Sequence, residues 1–304
     1  MNGNIPTLSV SGKNLPEAWE KAVLACWQNG VAIKTEYDKP CDPPSRDCTM
    51  LWTVEDPFAE PRIHKAIPSG LGDLEIYAQE VLFGVHDNWI DPKAGKWEYT
   101  YHERLFDYRV LTQRPVDQIQ AVIDKLAQAP FTSRAQAVTW QCWRDRDCYD
   151  PPCLQRMWFR VQDDKLLLNV TMRSNDAFKA AFMNMYAFTL LQEYVAQRLS
   201  AKLGRPIGVG RYIHSADSYH IYGSYFVEFG KFLEMRADKD LSQRVLNTEQ
   251  VRYFLDDGKI TLFNNTQSSV PLPPGHLTRL WSEIPEDRRG ELDPKQIDRM
   301  IAVG

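Results

Sequence analysis

Three stretches of the chain carry apolar residues at helical spacing. The first begins after Asn14 and ends at Gly30. The second covers residues 116–126, and the third covers residues 182–203 and ends before Gly204. We therefore predict three amphipathic helices, of which the third is the longest.

Runs rich in β-branched and aromatic residues predict strands between these helices. The run over 157–172 is interrupted at Gln162-Asp163-Asp164-Lys165, which predicts a hairpin turn. Residues 41–68 are rich in Pro, Asp and Arg, which predicts a loop with one short strand. The predicted strands cover residues 50–54, 135–143, 157–172, 207–213 and 224–234. Helices and strands together indicate a mixed α/β (α+β) fold, and one domain is expected over 1–304.

Composition and charge narrow the class of protein. The chain is 43% hydrophobic and 25% charged, as in soluble globular proteins, and its formal charge of −4 lacks the basic surplus that nucleic-acid binding needs. No apolar run is long enough to cross a bilayer, and no basic segment precedes an apolar one at the N-terminus. We expect a cytoplasmic protein that binds neither membrane nor nucleic acid, while small phosphorylated ligands remain compatible with its charge.

The cysteines and the local charges carry further predictions. The six cysteines lack CxxC pairing and zinc-finger spacing, so no metal is expected. The run Arg144-Asp145-Arg146-Asp147 is interpreted as a solvated charged turn. A zinc site without a known spacing is left open as an alternative, with Cys41, Cys48, Cys142 and Cys148 as its ligands.

One cysteine has neighbours that suggest chemistry. Cys153 ends Asp150-Pro151-Pro152-Cys153, and twenty residues later the chain reads Arg173-Ser174-Asn175-Asp176. An arginine near a thiol lowers the thiol pKa because it favours the thiolate. The same guanidinium could hold an anionic substrate against the sulfur.

Several short motifs at consistent spacing resemble the thymidylate synthase and pyrimidine-nucleotide hydroxymethylase family. The resemblance extends from about Arg46 to about Tyr222, and the run from Tyr101 to Asn184 aligns without a gap. The matching residues are Pro-Pro-Cys153, Arg173-Ser174-x-Asp176, Asn184, His220-Ile221-Tyr222, Trp140 and Asp117-Gln118-Ile119.

The resemblance implies a nucleotide-binding role for one group of residues. Cys153 would add to C6 of the pyrimidine and make C5 nucleophilic. Asn184 would read the uracil edge, since an amide both donates and accepts, whereas family members that prefer cytosine tend to carry Asp there. The implied phosphate and sugar contacts are Arg46, Arg173, Ser174, His220, Tyr222 and, contributed to the neighbouring subunit of a homodimer, Arg134. The usual partner of Arg134 is replaced here by Ser133.

A second group is implied to serve proton transfer and the folate co-substrate, 5,10-methylenetetrahydrofolate. Glu80 resembles the glutamate that organises proton transfer, with Glu75 as a rival, and Tyr101 resembles the hydroxyl near the reacting carbons. Asp176 would bond the pterin ring, and Trp89 would form an aromatic wall. The family's fold, a large twisted mixed sheet covered by long helices, implies that one sheet face forms the homodimer contact.

Two departures bear on the outcome of the reaction. Synthases usually have His after the nucleophile and Leu-Gly-x-Pro-Phe-Asn before the base-reading Asn, but this chain has Leu154 and Lys179-Ala180-Ala181-Phe182-Met183. We therefore favour hydroxymethylation of dUMP, with dUMP methylation and dCMP or CMP hydroxymethylation as alternatives. The apolar tail Met300-Ile301-Ala302-Val303-Gly304 still resembles the synthase tail that closes over the site.

Two functions of other classes are left open. A thiol hydrolase would use Cys153 with His214 or His220 as its base. A noncatalytic nucleotide-binding protein would keep the pocket without needing the thiol.

Overall fold

The computed structural model describes residues 3–68, 70–248, 261–263 and 269–271. The strands are β1 (Thr7–Gly12), β2 (Val31–Ile33), β3 (Ser45–Val54), β4 (Ile63–His64), β5 (Gln136–Val138), β6 (Leu154–Gln162), β7 (Lys165–Asp176), β8 (Gly208–Ile221), β9 (Val245–Leu246), β10 (Thr261–Phe263) and β11 (Ser269–Pro271). The helices are α1 (Leu15–Asn29), α2 (Leu71–Phe83), α3 (Tyr101–Phe106), α4 (Gln118–Gln128), α5 (Cys142–Asp145), α6 (Ala181–Leu203) and α7 (Phe226–Asp238). The tail at 300–304 lies outside the described residues.

A mixed sheet of seven strands organises this structure. Its order is β1-β3-β8-β7-β6-β5, and β2 pairs with β3 at one end of that strand. The pairs β1/β3 and β7/β8 are parallel, and the remaining pairs are antiparallel. The chain passes from β7 to β8 through α6, which is the crossover that parallel neighbours require.

Helices cover one face of the sheet. Helices α1 and α6 contact the central strands, and the indole Nε1 of Trp52 on β3 lies 3.4 Å from the sulfur of Met185 on α6. On β7, Leu166 and Leu168 are buried, whereas Leu167 and Asn169 are partly exposed. The same alternation runs along β8, so the second face of the sheet has no cover within the described residues of this single chain.

The central strands bend towards the helix side. In the ladder Val170 pairs with His214 and Asn175 pairs with Tyr219, yet the side chains of Asn175 and His214 meet at 2.9 Å. Residues this far apart along a flat ladder could not touch, so the sheet must curve between them. A register shift in the neighbouring β3, between Cys48 and Met50, lies at the same level and is typical of a β-bulge.

The three predicted helices and the hairpin turn are confirmed. The side chain of Asn14 accepts a hydrogen bond from the amide of Glu17 and caps α1. Gly204 ends α6 in the left-handed conformation, with φ 65°. Asp163 and Asp164 both have positive φ, at 49° and 53°, as a tight hairpin turn requires.

Two predicted strands continue further than their hydrophobic runs. The strand placed at 50–54 begins at Ser45, and the one placed at 207–213 runs to Ile221. Polar residues populate both extensions, some of them buried, such as Ser45 and Asp47 on β3, and others on the uncovered side of the strand. On β8, for example, Ala216 is buried while Asp217 is exposed, an alternation that an apolar count does not detect.

Two other predicted strands were wrong over most of their length. Residues 224–234 form most of helix α7, where Phe229 and Phe232 recur at helical spacing and are buried. Of 135–143, only Gln136–Val138 is a strand, and α5 begins at Cys142. The reason in the first case is that the period of the aromatic residues outweighs their intrinsic strand preference.

For the charged run 144–147 the prediction of a solvated turn holds for Arg146 and Asp147, which are exposed, and is wrong for Asp145. Asp145 is buried and forms a two-pronged ion pair with Arg104, with both oxygen–nitrogen distances at 2.8 Å. Arg104 also donates to the carbonyl of Thr139, and the Thr139 hydroxyl donates to the carbonyl of Leu154. This buried pair therefore braces the segment that follows the candidate nucleophile.

No helix among the described residues has the length and apolar character needed to cross a bilayer.

Candidate active site

A cleft opens at the ends of β6, β7 and β8, beside α2 and α6. It consists of two adjoining cavities of about 680 Å³ and 540 Å³. Both cavities are lined by Tyr149, Asp150, Cys153, Ser174, His220 and Tyr222. The candidate thiol therefore lies where the two cavities meet.

Backbone carbonyls hold the arginine that faces this thiol. The Arg173 guanidinium donates from Nε to the carbonyl of Pro152 at 3.1 Å and from Nη2 to the carbonyl of Pro151 at 2.6 Å. The backbone amide of Arg173 donates to the carbonyl of Cys153 at 2.8 Å. The two prolines restrict the loop, and Arg173 ties it to β7, so the position of Cys153 follows from main-chain contacts.

The protonation of Cys153 is set by opposing effects. Burial raises the thiol pKa, the positive charge of Arg173 lowers it, and the carboxylate of Asp150 raises it. The net shift is upward, so the resting group is the thiol. A bound phosphate beside Arg173 would not add to the thiolate's stability, and the nucleophile must be deprotonated as the substrate reacts.

His220 lines the smaller cavity and is linked through Ser218 to Asp47. His220 Nδ1 lies 3.1 Å from the Ser218 hydroxyl, which donates to the carboxylate of Asp47 at 2.8 Å. Burial lowers the pKa of His220 to about 4, so its ring is neutral near pH 7. Nε2 of His220 has no hydrogen-bond partner in the described part of the chain, and the ring of Tyr222 lies 4.5 Å away.

Asn184 on the first turn of α6 is held from both sides. The Tyr77 hydroxyl donates to Asn184 Oδ1 at 2.5 Å, and Asn184 Nδ2 donates to Asn175 Oδ1 at 3.3 Å. Tyr77, Asn175 and Asn184 all line the larger cavity. The amide keeps a second N–H and a second lone pair for a ligand.

Glu80 lines the larger cavity and pairs with a histidine. Its Oε2 lies 2.9 Å from Nδ1 of His86, whose ring stacks on Trp89 with centroids 3.7 Å apart. Burial raises the pKa of Glu80, and the hydrogen bond with His86 opposes that rise. Its rival Glu75 does not line the cavity and accepts a hydrogen bond from Gln79.

Asp176 and a group of aromatic rings complete the larger cavity. The backbone amides of Phe178 and Lys179 donate to Asp176 Oδ1 at 3.0 and 2.8 Å. Burial raises the pKa of Asp176 to about 6. The Tyr101 hydroxyl accepts from the amide of Leu154 at 3.2 Å and so touches the residue next to the nucleophile. The aromatic lining consists of Tyr77, Trp97, Tyr99, Tyr101, Tyr149 and Tyr222.

Nine of the twelve residues predicted for the site line the cleft. They are Glu80, Tyr101, Cys153, Arg173, Ser174, Asp176, Asn184, His220 and Tyr222. Three do not line it in this chain. Arg46 donates to the carbonyl of Gly30 and lies over the ring of Trp27, Arg134 is exposed next to β5, and Trp89 packs behind Trp97.

Several cleft residues were not found by sequence reasoning. Trp97, Tyr99 and Tyr149 line the larger cavity, and Glu36 and Tyr37 line the smaller one. Tyr77 and Glu80 occupy the same face of α2, three positions apart, which was the one signal that could have found Tyr77.

All six cysteines are free thiols. Within the described ranges, no group of three or more His, Cys, Asp or Glu side chains is arranged to hold a metal ion.

Comparison with known proteins now defines the family. Residues 75–267 match the family model described as "Thymidylate synthase". A protein of Methanosarcina acetivorans named "Putative thymidylate synthase" is 30% identical over 195 residues, which cover 64% of this chain and 83% of that one. A protein of Methanocaldococcus jannaschii with the same name is 28% identical over 242 residues, covering 74% of this chain and 99% of that one.

A solved structure shows the same fold. Thermostable thymidylate synthase A from Bacillus subtilis superposes with a TM-score of 0.55 and 18% identity, over 75% of this chain and 85% of that chain. At this identity the likeness concerns the fold alone. The chain belongs to the thymidylate synthase family, whose members are one-carbon transferases that bind nucleotide and folate and use methylenetetrahydrofolate. The resemblance seen in the sequence and the predicted fold class are thereby confirmed.

Proposed function

We propose that this protein transfers a one-carbon unit to C5 of dUMP through a covalent bond between Cys153 and C6, and that the product carries a hydroxymethyl group. The observation that carries the proposal is the meeting of Cys153 and Arg173 in one cleft with the amide of Asn184. A thiol, an anion-binding cation and a base-reading amide are what this chemistry requires.

The nucleotide would lie across both cavities. Its phosphate would meet Arg173 and Ser174 in the smaller cavity, where the guanidinium retains Nη1 for phosphate oxygens. The base would reach the free N–H and lone pair of Asn184 in the larger one. His220 and Tyr222, which line both cavities, would contact the sugar between them.

The covalent step uses residues of this chain only. As the Cys153 thiol loses its proton, the sulfur forms a bond to C6, and the π electrons of the C5–C6 bond move onto C5 and the C4 carbonyl. C5 would then form its bond to the one-carbon unit and lose its own proton, and the bond between that unit and the folate nitrogen would break to leave a methylene group on C5. Addition of water to this methylene group, with loss of a proton, would re-form the C5–C6 double bond and expel the sulfur as a thiolate, which takes up a proton to restore the thiol.

Glu80 and Tyr101 are suited to the proton transfers. The raised pKa of Glu80 brings this carboxyl closer to the range in which it can both take and return a proton near neutral pH. His86, bound to Glu80 at 2.9 Å, would hold the carboxyl towards the cleft. The Tyr101 hydroxyl fixes the amide of Leu154 and could also pass a proton near C5.

The larger cavity fits the folate co-substrate. Its volume is about 680 Å³, and it combines the flat rings of Trp97 and Tyr99 with the carboxylate of Asp176. Asp176 would accept hydrogen bonds from the pterin, and the rings would pack against its faces. Methylenetetrahydrofolate, when bound there, supplies the one-carbon unit.

The residue after the nucleophile supports the hydroxymethyl outcome. Leu154 is completely buried and lines neither cavity, so this position gives the cleft no polar side chain. The histidine that synthases usually carry there can hold a water molecule in place by hydrogen bonding, and a leucine cannot. Water delivered to the reacting carbon would then compete with hydride transfer and leave a hydroxymethyl group.

A homodimer would account for Arg134, which lies outside the cleft of its own chain. The uncovered sheet face carries apolar side chains such as Leu51, which is 42% exposed, and offers a surface for a second copy. Arg134 is exposed and would contribute its guanidinium to the neighbouring site, in line with the family resemblance.

Arg46 and Trp89 keep their predicted roles only if the bound nucleotide and folate draw them towards the cleft.

The decisive experiment weighs the nucleotide product. The protein is incubated with methylenetetrahydrofolate and one of dUMP, dCMP, UMP or CMP, and the nucleotide is then analysed by mass spectrometry. A gain of CH2O on dUMP is the expected result. A gain of CH2 with formation of dihydrofolate means methylation instead, and a product from dCMP or CMP alone means a cytosine substrate.

The role of the thiol is tested with matched variants. Cys153→Ser should lower product formation by at least about a thousandfold, whereas Cys142→Ala, which removes an exposed thiol, should leave it unchanged. Of the two histidines that a thiol hydrolase could use as its base, His214 is completely buried and does not line the cleft, and His220 lines it but contacts Ser218 through Nδ1. No product from the native protein, with nucleotide binding that Cys153→Ser leaves unchanged, would support the noncatalytic alternative.

A further inference from the structure

A continuous chain of hydrogen bonds leads from the cleft wall into the protein core. It begins at Tyr77, passes through Asn184 and Asn175, and reaches His214 and Tyr212. The last two contacts are 2.9 Å, from Asn175 Nδ2 to His214 Nε2, and 2.6 Å, from His214 Nδ1 to the Tyr212 oxygen. Apart from Asn184, none of these residues belongs to the motif residues that identified the site.

The direction of every bond in the chain follows from its chemistry. An amide nitrogen can only donate, so Nε2 of His214 must accept the hydrogen bond from Asn175. The single proton of the neutral ring is then on Nδ1 and points to Tyr212. With Asn175 Nδ2 engaged in this way, Asn175 Oδ1 faces Asn184 and accepts from it.

The Asn184 amide cannot turn over by itself. A half-turn would place its oxygen against the oxygen of Asn175 and its nitrogen against the Tyr77 hydroxyl. To relieve the first clash Asn175 would have to turn as well, and His214 would then have to carry its proton on Nε2 and accept from the Tyr212 hydroxyl at Nδ1. The Asn184 amide can therefore turn only if the whole chain reverses with it as far as Tyr212.

His214 is enclosed and stays neutral, so a reversal of the chain would need a change of tautomer inside the core. Its side chain is completely buried and stacks on Trp52, with centroids 4.0 Å apart and the planes at 11°. Burial keeps the imidazole neutral at physiological pH by lowering its pKa to about 3. Tyr212, on the same strand, is also completely buried, so this end of the chain is enclosed.

The orientation of the Asn184 amide matters because uracil and cytosine present opposite edges. Uracil offers a donor at N3 and an acceptor at C4, whereas cytosine offers an acceptor at N3 and a donor at C4. An amide fixed in one orientation matches one base and opposes the other, and a freely turning amide matches both. We propose that Tyr77, Asn175 and His214 are specificity-determining positioning residues, which fix the Asn184 amide and thereby make the enzyme discriminate uracil from cytosine. This inference rests on the function proposed above.

The test compares binding of dUMP and dCMP to variants of the chain. Tyr77→Phe removes one hydroxyl, Asn175→Leu replaces the amide with an apolar side chain of similar size, and the double variant removes both supports of Asn184. Each single change should lower the ratio of dUMP to dCMP affinity by about 5-fold, and the double change by more, chiefly because dCMP binds better. Tyr186→Phe is the matched control, since it removes a buried hydroxyl that has no hydrogen-bond partner in the described residues.

The outcomes separate this inference from the proposed function. If Tyr77→Phe weakens both nucleotides equally, or changes the ratio no more than Tyr186→Phe does, the inference is overturned while the proposed function stands. If the native protein binds neither dUMP nor dCMP, both are overturned. Should Asn175→Leu fail to fold, the ratio of dUMP to dCMP affinity measured for Tyr77→Phe tests the inference by itself.

Discussion

Two buried polar clusters, each containing a neutral histidine, are built in opposite ways. The neutral cluster below the cleft joins Asn175, His214 and Tyr212 without a formal charge. The charged cluster beside α1 centres on Glu20, whose oxygens receive two hydrogen bonds from Arg244, at 2.6 and 3.0 Å, and one contact from His64 at 3.0 Å.

The contrast shows what each kind of contact can do. In the neutral cluster all hydrogen bonds run in the same sense from donor to acceptor, because each amide or imidazole accepts on one side and donates on the other. The charged cluster has no such direction, but it ties α1 to β4 and to the segment before β9, which are remote in sequence. We therefore expect the first cluster to govern specificity and the second to govern stability.

The largest expected effect is on stability. Glu20→Gln leaves the buried guanidinium of Arg244 without its carboxylate and should lower the free energy of unfolding by about 3 to 5 kcal/mol. Glu17→Gln on the same helix removes a surface pair with Lys21 and should cost less than about 1 kcal/mol. Urea denaturation of both variants measures the difference, and equal costs would refute the stabilising role of the Glu20 cluster.

The second effect is the response of the charged cluster to acid. Burial opposes ionisation of Glu20, but hydrogen bonds from His64 and Arg244 outweigh it and lower the pKa from 4.5 to about 2. Because the folded pKa is below the unfolded one, this stabilisation is complete above pH 4.5 and is lost as the pH falls to about 2. In unfolding measurements, the gap between the native protein and Glu20→Gln should narrow over that range and stay constant from pH 5 upwards.

The neutral cluster should respond at higher pH than the charged cluster. Burial lowers the pKa of His214 from 6.5 to about 3, so between these values the unfolded chain binds a proton that the folded protein does not. Stability therefore falls as the pH drops through this window, by up to about 1.4 kcal/mol per pH unit for one group. His214→Phe should reduce the slope of unfolding free energy against pH, while Tyr212→Phe, which keeps the histidine, should not.

The smallest effect concerns Arg173, which faces the nucleophile. Its positive charge lowers the pKa of the Cys153 thiol against the effect of burial, so Arg173→Gln should raise that pKa. The midpoint of iodoacetamide alkylation against pH would then shift upwards. Arg156→Gln, an exposed change on β6, is the control, and an identical profile for the two variants would show that Arg173 does not act on the sulfur.

Local signals predicted part of this fold correctly. The cap at Asn14 and the turn at Asp163-Asp164 depend on residues adjacent in sequence, and both form as expected. The strand character assigned to 224–234 failed because aromatic residues suit both helices and strands, and their spacing decides which forms. The extensions of β3 and β8 were missed because both contain polar side chains, buried ones such as Ser45 and Asp47 as well as exposed ones such as Asp217.

In the site, too, the residues of short motifs could be predicted from the sequence, whereas contacts between segments remote in sequence could not. Motif spacing was enough to predict that Cys153, Arg173 and Asn184 meet in one cleft. Trp89 was also predicted to line it, but in the structure Trp97 lines the cleft and Trp89 packs behind Trp97. The contact of Asn175 with His214 depends on the curvature of the sheet, which no local pattern reports. The pairing of Arg104 with Asp145 likewise joins segments that only the fold brings together.

The curvature of the sheet has a consequence for how this enzyme could change over time. His214 does not line either cavity, yet it is joined through Asn175 to the asparagine at the cleft, whose orientation we propose it helps to fix. Substrate preference could thus drift through substitutions one layer beneath the surface, while every residue that contacts the nucleotide stays the same. A comparison of cleft-lining residues between two relatives would then find them identical and miss the reason why they accept different bases.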